Sequence, residues 1–141
     1  MRSIARFEVG NKAFLIREER LLLVRERIGD QLWELPGGRF DAGEEDVPPV
    51  EVLRRELREE LGGDLRWEWA GILDAWVRPA PERGTHVFLL GHECRWIAGE
   101  PRLSDEHLEA RWTGPDDWRA LPLPDPYPEV LARFWARRAR A

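Results

Sequence analysis

Residues 37–62 read GGRFDAGEEDVPPVEVLRRELREELG, a glycine pair followed by a loop and then by a charged segment with helical periodicity. Glu56, Glu59 and Glu60 are spaced i, i+3 and i+4, so on a helix their carboxylates share one face. Like charges so placed repel, by about 0.2–0.5 kcal/mol for an exposed i,i+4 pair. A bound divalent cation would make the closeness of these carboxylates favourable instead of repulsive. Mg²⁺ combines one or two carboxylates with waters and phosphate oxygens.

The same segment is also compatible with an ordinary surface helix, because arginine and glutamate commonly decorate the solvent face. The preceding residues favour the functional interpretation. The short stretch 33–36 predicts a strand that ends in proline, and Gly37 and Gly38 then allow a sharp turn and a close backbone approach to the acids. The apolar stripe expected to face the core is Val50, Leu53, Leu57 and Leu61.

This arrangement resembles the Nudix box, the signature of the Nudix hydrolases. Gly38 and Glu44 match its first spacing. Two departures are present: ten residues rather than seven separate Glu44 from the second block, and Gly63 replaces the closing aliphatic residue. The extra residues lie around Val47-Pro48-Pro49, and proline is tolerated in a first helical turn, so we expect a longer loop before an intact helix. The second block is matched by Arg55, Glu56, Leu57, Glu59, Glu60 and Gly62.

The resemblance implies an α/β protein with the Nudix fold, a mixed β-sheet sandwiched between α-helices. It implies that Glu59 and Glu60 bind Mg²⁺ or Mn²⁺ together with the Gly37 carbonyl. Glu56 would bind metal or help to deprotonate the attacking water. Arg55 would orient these carboxylates through a bridge to Glu44. Acids held this close should also raise one another's pKa values in the metal-free protein.

Members of the family often take a further acid from a loop nearer the C-terminus, and residues 104–109 offer one. We expect Glu106 to be that acid, because Glu109 begins a strand-like stretch; both could instead be solvated loop acids. His107 in this loop is interpreted as a bystander. His86 and His92 fall in a strand pattern that favours packing or exposure, and no His/Cys spacing indicates zinc.

Aromatic and basic residues near the expected cleft are candidate substrate ligands. Arg78 and Arg83 flank a proline loop and could contact phosphate or ribose, or could serve only solubility. Tryptophans at periodic positions, Trp67, Trp69, Trp96 and Trp135, are expected to pack in the core. The candidates for stacking on a nucleobase are Trp33, Phe40, Trp76 and Trp112.

Length and composition predict one catalytic domain over residues 1–141, of which 43% are hydrophobic. The net charge of −5 argues against non-specific nucleic-acid binding. Cys94 is the only cysteine, so no intrachain disulfide or thiolate metal cluster is expected, and a reducing cytoplasm fits best. No leader or membrane span is expected. Lys12 is the only lysine, which we attribute to the base composition of the source genome.

Alternating strand-like and helix-like stretches follow one another along the chain. Helices are expected for the Nudix-box segment and for residues 128–138. The Pro-rich run 121–128 is interpreted as an extended connector. The expected strands are 4–9, 12–17, 21–25, 32–35, 65–69, 72–77, 86–96 and 109–112.

The function expected from the resemblance is metal-dependent hydrolysis of a nucleoside diphosphate linked to a second moiety, by attack of water on phosphorus. ADP-ribose is the first candidate, because Pro79 lies about sixteen positions past Gly63, as in ADP-ribose pyrophosphatases. The alternatives are hydrolysis of nucleoside triphosphates or dinucleoside polyphosphates, and a non-catalytic ligand-binding regulator. An isopentenyl diphosphate isomerase would need a reactive cysteine, for which only Cys94 is available. The expected partner is a small nucleoside diphosphate derivative, and neither a nucleic acid nor a membrane is expected.

Overall fold

The computed structural model describes residues 1–141, which form seven strands, two α-helices and two short 3-10 turns. The 3-10 turns cover Pro81–Arg83 and Asp117–Ala120. In chain order, the strands and helices are β1 (Glu8–Arg17), β2 (Arg20–Glu26), β3 (Trp33–Glu34), β4 (Gly37–Arg39), α1 (Pro49–Leu61), β5 (Arg66–Ala80), β6 (Thr85–Ala98), β7 (His107–Thr113) and α2 (Tyr127–Ala139).

The seven strands form one mixed sheet in the order β3-β2-β1-β6-β5. Strand β4 pairs with β1 and strand β7 pairs with β2 outside this path. The β1–β6 pairing is parallel and all the other pairings are antiparallel. The sheet therefore brings the glycine turn at β4, the start of β7 and the middle of β1 close together, although they are distant in sequence.

The sheet has a separate hydrophobic core on each face. Helix α1 packs Leu53, Leu57 and Leu61 against residues such as Leu15 and Leu22 of the sheet. Helix α2 contributes its own apolar face to the opposite core, which contains Phe14 and Trp76. Helices thus cover both faces of a mixed sheet, as the expected α/β Nudix fold requires.

Two local predictions need correction. The expected separate strands 4–9 and 12–17 are one strand, since β1 begins at Glu8 and Ile4 is exposed. Gly10 does not interrupt β1, because it pairs with Leu89 of β6 and with Arg39 of β4. A Cβ at Gly10 would approach Leu89 Cδ2 to 2.7 Å. On α1, Val52 is fully buried and Val50 only partly so, which rotates the apolar stripe from its expected position.

Helix α1 begins with Pro49 at its first position, and Pro48 precedes it as the N-cap residue. A proline there costs no intrahelical hydrogen bond, because the first backbone N–H groups of a helix have no partner within it. The additional residues of the Nudix box therefore lengthen the loop before α1, as expected. Neither helix is long and apolar enough to cross a membrane.

Candidate active site

The three glutamates of α1 lie at different depths. The side chain of Glu59 is 59% exposed, that of Glu56 14% and that of Glu60 only 3%. The apolar face of α1 packs on the sheet, and Glu60 lies beside Leu57 and Leu61 at the margin of that face. The three acids therefore differ in their access to solvent, and Glu60 is the buried one.

The two glycines of β4 allow the backbone to approach these acids closely. Gly37 has a φ of +135°, and a Cβ there would lie 2.0 Å from the Asn11 carbonyl oxygen. Its N–H donates to Glu60 Oε2 at 3.0 Å. A Cβ on Gly38 would lie 2.6 Å from the Glu56 carboxylate. Any side chain at either position would displace backbone or an acid, which explains the glycine pair.

Arg55 holds the acidic cluster together. Its Nε and Nη2 atoms donate to the two carboxylate oxygens of Glu44, each at 2.7 Å. The Nη1 atom lies 3.0 Å from Glu56 Oε1 and 3.3 Å from Glu59 Oε2. The expected bridge between Arg55 and Glu44 is thus present despite the longer loop. Hydrogen bonds from Arg55 lower the pKa of the Glu44 carboxyl, so this fork is charge-assisted.

Lys12 is a buried cation of this site that the sequence interpretation missed. Its Nζ donates to Glu34 Oε1 at 3.1 Å and to the Gly37 carbonyl oxygen at 3.2 Å. The signal was available, since the only lysine of the chain directly precedes the apolar run 13–16 of an expected strand. Burial raises the pKa of Glu34 to about 7, and the nearby Lys12 charge opposes that rise.

His107 is the second residue that the sequence interpretation missed. It is the first residue of β7 rather than a loop residue, and only 3% of it is exposed. Its Nε2 lies 3.4 Å from Glu60 Oε1 and 3.7 Å from Glu26 Oε1, yet neither ring nitrogen has an aligned hydrogen-bond partner. The pairing of β7 with β2 places His107 opposite Glu26, and local sequence carries no signal of that register.

The pKa values of two acids on α1 are raised, as expected for clustered carboxylates. Burial is the largest cause for both, and it raises the pKa of Glu60 to about 8. Burial likewise raises the pKa of Glu56. Repulsion between Glu56 and Glu60 is a smaller contribution, while Lys12 and His107 oppose the rise at Glu60. Desolvation therefore contributes more than the like-charge repulsion on which the expectation rested.

A cleft of about 290 Å³ opens beside these groups. Glu106 faces this cleft, whereas Glu109 is paired with Arg25 and Arg111 on β7. A neighbouring cavity of about 550 Å³ is also lined by Ile28, Leu32 and Pro124. The lining residues common to both cavities are Glu26, Glu34, Arg39 and Arg78.

The expected substrate ligands lie in different surroundings. Trp33 is 3% and Trp76 6% exposed, and both belong to the core under α2, so neither is available to stack on a nucleobase. Arg78 lines the cleft. Phe40 and Arg83 line an adjacent cavity of about 330 Å³, in which Arg83 is bound to Glu8 at 2.8 Å.

Two further candidate residues, Trp112 and Cys94, are packed against other side chains. Trp112 lies against the other core, with the Arg17 guanidinium 5.7 Å from its ring. Cys94 is buried in β6, and burial raises the pKa of its thiol. A thiol in this environment is poorly nucleophilic. The environment of Cys94 therefore does not fit the reactive cysteine that an isomerase would need.

The donor set fits a hard divalent cation. Glu60 of α1 is buried against the Gly37 N–H, and the Glu56 carboxylate lies beside Gly38. The Gly37 carbonyl oxygen belongs to the same turn, and such ions prefer oxygen ligands. Close by, Glu60, Glu106 and His107 each offer a ligand atom, and the three atoms lie within 4.8 Å of one another.

Comparison with known proteins agrees with this geometry. The YjhB protein of Bacillus subtilis (strain 168), whose name provisionally assigns it to the ADP-ribose pyrophosphatases, is 32% identical over 110 residues, which cover 77% of this chain and 50% of YjhB. The chain therefore spans about half the length of that relative. The RNA pyrophosphohydrolase of Marinomonas sp. (strain MWYL1) is 29% identical over 127 residues, covering 84% of this chain and 77% of that protein.

A solved structure has a similar fold, and a family model gives the assignment. The solution structure of the E. coli ORF135 protein is similar with a TM-score of 0.76 and 26% identity, covering 96% of this chain and 94% of that one. The model of the NUDIX domain matches residues 8–134. Members of this family generally use divalent metals, in keeping with the ligand atoms that Glu60, Glu106 and His107 bring together. The chain therefore belongs to the Nudix family.

Proposed function

We propose that this protein is a metal-dependent hydrolase that cleaves the pyrophosphate bond of a nucleoside diphosphate joined to a second moiety, with ADP-ribose as the first compound to test. The observation that carries the proposal is the convergence of Glu56 and Glu60 on the Gly37-Gly38 turn, held by the fork between Arg55 and Glu44. A non-catalytic regulator would not require this complete acidic set.

The residues that would hold the ion are the Gly37 carbonyl and the carboxylates of Glu59 and Glu60, while Glu56 would be either a further ligand or the group that deprotonates the attacking water. Bound Mg²⁺ or Mn²⁺ supplies charge neutralisation at the phosphates and an acidified water. Lys12 donates to the Gly37 carbonyl oxygen, so this residue fixes the turn and balances the buried acids.

The side chains of the cleft divide the remaining tasks. Arg55 orients Glu56 and Glu59, to which it lies within hydrogen-bond or ion-pair distance. Glu56 borders the cleft, and burial raises its pKa, which suits a group that accepts a proton from the attacking water. Arg78 also lines the cleft and can bind phosphate oxygens.

The two adjacent cavities support a substrate with groups on both sides of its diphosphate. Arg39 and Arg78 lie where the cavities meet, so a diphosphate bound there could extend into the acidic cleft in one direction. In the other direction it would reach the cavity lined by Ile28, Leu32 and Pro124, which has apolar surface for a second moiety. The name of the Bacillus subtilis relative supports the same substrate class.

A second candidate is removal of pyrophosphate from a triphosphate end, either of a nucleotide or of RNA. The Marinomonas relative favours it, because its name states that activity and 77% of its length is covered. The acidic cluster would serve either reaction. The two reactions differ in the substrate that the second cavity has to accept, so a comparison of substrates distinguishes them.

The deciding experiment compares kcat/KM for ADP-ribose, dinucleoside polyphosphates, nucleoside triphosphates and triphosphorylated RNA in Mg²⁺ or Mn²⁺. We expect ADP-ribose to be preferred, with AMP released, and expect a chelator to abolish turnover. A triphosphate substrate preferred by tenfold, about 1.4 kcal/mol in transition-state binding, would favour the second candidate. Binding of these compounds without any turnover would instead indicate a regulator.

The domain, the compartment and the partner of this activity are proposed as well. We propose that residues 1–141 act as one catalytic domain, supported by the family match over residues 8–134. We propose a reducing compartment, the cytoplasm, supported by the single buried Cys94. The proposed partner is a small nucleotide derivative.

A further inference from the structure

A separate cavity of about 380 Å³ lies between the C-terminal part of α1 and the start of β5. It shares no lining residue with the active-site cleft. Guanidinium groups and no carboxylate line this cavity, although the chain has a net charge of −5. A cavity that gathers only positive charge in an acidic protein favours an anionic ligand. Its basic residues are Arg54, Arg58 and Arg66.

Two of these arginines come from one face of α1. Arg54 and Arg58 are spaced i and i+4, whereas the intervening Arg55 is bound to Glu44 in the acidic site. Arg54 is held in place, because its Nε lies 3.3 Å from Glu51 Oε1. Its guanidinium also lies 4.7 Å from the centre of the Trp67 ring. The cavity therefore has one fixed cation beside an aromatic wall.

The guanidinium groups of Arg58 and Arg66 have no partner within the protein. Both residues are exposed, and neither side chain forms an ion pair or a hydrogen bond. Most arginines of this chain are ion-paired instead. A guanidinium offers several donors in a planar fork that matches the oxygens of a phosphate group. Two unpaired forks at one cavity favour a ligand that carries phosphate.

The remaining wall of the cavity is apolar. Leu57 and Leu65 are buried, Trp67 is partly exposed and Ile97 is 56% exposed. Flat apolar and aromatic surface beside cations suits a nucleobase, which stacks on aromatic rings and on guanidinium planes. The volume is at the lower end of the roughly 300–1,000 Å³ typical of small-molecule sites. A single nucleotide therefore fits the size and the chemistry of this cavity.

We propose that this cavity is a second nucleotide-binding site, separate from the active site and independent of its metal. The phosphate accepts hydrogen bonds from Arg58 and Arg66, and the base lies against Trp67 and Ile97. The active-site cleft is lined by more carboxylates than cationic groups, so without a divalent ion it repels the same ligand. Removal of metal therefore separates binding at the two places.

The competing explanation is that these arginines only complement the C-terminal end of α1, whose carbonyl groups carry partial negative charge. The following loop already satisfies two of those carbonyls. The Arg102 N–H donates to the Leu61 carbonyl at 2.8 Å, and the Ser104 N–H donates to the Glu60 carbonyl at 3.2 Å. Arg66 belongs to β5, so the charge of the helix end does not account for it.

The test is two-dimensional NMR of the isotope-labelled wild-type protein, titrated with AMP in the presence of a chelator. We expect a saturable shift of the Trp67 indole N–H signal, which is assigned by its loss in Trp67→Phe. The Trp118 indole N–H, which is bonded to the Pro115 carbonyl in the opposite core, should not move. The absence of a saturable Trp67 shift up to millimolar AMP would overturn the site.

Charge variants test the phosphate contacts. We expect Arg58→Gln and Arg66→Gln each to weaken AMP binding on the order of tenfold, because each removes a charged donor to phosphate. Arg6→Gln is the matched control, since Arg6 is exposed and unpaired before β1 and the change in net charge is the same. Equal weakening in all three variants would reduce the effect to overall charge and overturn the site.

The two halves of the probe test the ligand class. We expect adenosine and inorganic phosphate each to bind about tenfold more weakly than AMP or worse, because each lacks one set of contacts. Inorganic phosphate that binds as tightly as AMP would overturn the assignment to a nucleotide. Hydrolysis assays in Mg²⁺ address the cleft alone, since Arg58 and Arg66 line only the other cavity. Failure of either proposal therefore leaves the other standing.

Discussion

Glu60 and Glu59 are neighbours in sequence but have opposite environments. Glu60 is buried against the Gly37 N–H and close to His107, whereas Glu59 reaches solvent from the next position of α1. Placing a carboxylate where burial raises its pKa to about 8 destabilises its charged form. Such a placement is costly for folding and is consistent with a residue retained for an ion rather than for stability.

Glu59→Gln and Glu60→Gln test these two carboxylates. We expect each to lose most of the turnover, on the order of 100-fold or more, because each removes a charged metal ligand. The melting temperature Tm should be kept, since the amide has nearly the same size and the amide oxygen of Glu60→Gln can still accept the Gly37 N–H. Glu51→Gln, on the same helix and exposed, is the control. Near wild-type turnover in either variant would refute its assignment as a ligand.

Glu106 and Glu109 provide a second comparison at this scale. Glu106 faces the cleft, while Glu109 is paired with Arg25 and Arg111. We expect Glu106→Gln to slow turnover more than Glu109→Gln, measured as kcat with saturating metal. Equal and negligible effects would mean that the additional acid of the site lies elsewhere.

At the scale of elements, the β4 turn approaches helix α1 closely because its two glycines have no side chains. A Cβ at Gly38 would lie 2.6 Å from the Glu56 carboxylate, so the contact is with the flexible end of a side chain and the acid can move away. The stability of the fold should therefore depend only weakly on Gly38. The geometry of the site should depend on Gly38 strongly.

Gly38→Ala tests this separation. We expect kcat/KM to fall on the order of tenfold or more as Glu56 is displaced, since small misplacements of catalytic groups are costly. The change in Tm should be small. Gly63→Ala is a matched control just after the same helix, where an added Cβ meets nothing within 4 Å. A loss of Tm as large as the loss of activity would show that the turn supports the fold instead.

At the scale of the whole molecule, His92 joins three strands of the sheet. Its Nδ1 accepts from Trp69 Nε1 of β5 at 3.0 Å, and its Nε2 lies 2.8 Å from Asn11 Oδ1 of β1. These contacts assign a neutral ring that donates through Nε2. Burial lowers the pKa of His92 to about 4 from an ordinary value of 6.5. The unfolded chain therefore binds a proton more readily than the folded protein.

The predicted consequence is a loss of stability in acid. The contribution of neutral His92 is fully present above about pH 6.5 and is lost as the pH falls towards 4, by up to about 3 kcal/mol in the free energy of unfolding. Urea unfolding of the wild-type protein and of His92→Gln between pH 7 and 4 measures this contribution to the free energy of unfolding. The stability difference between them should shrink in acid. A difference independent of pH would contradict the prediction, and the exposed His86→Gln is the control.

The sequence alone determined the parts of this protein that depend on local spacing. The positions of Glu56, Glu59 and Glu60 on one helix, the need for Gly37 and Gly38, and the family follow from residues within one segment of the chain. The α/β class follows similarly, since strand and helix periodicities are local properties of a sequence.

The tertiary structure decided the parts that depend on strand register and helix rotation. Lys12 reaches the Gly37 carbonyl because β1 pairs with β4, and His107 reaches Glu60 because β7 pairs with β2. Trp33 and Trp76 lie in the core rather than the cleft because α2 covers their face of the sheet. Such contacts join residues far apart in sequence, and a shift of one residue in strand register would turn each of these side chains to the opposite face.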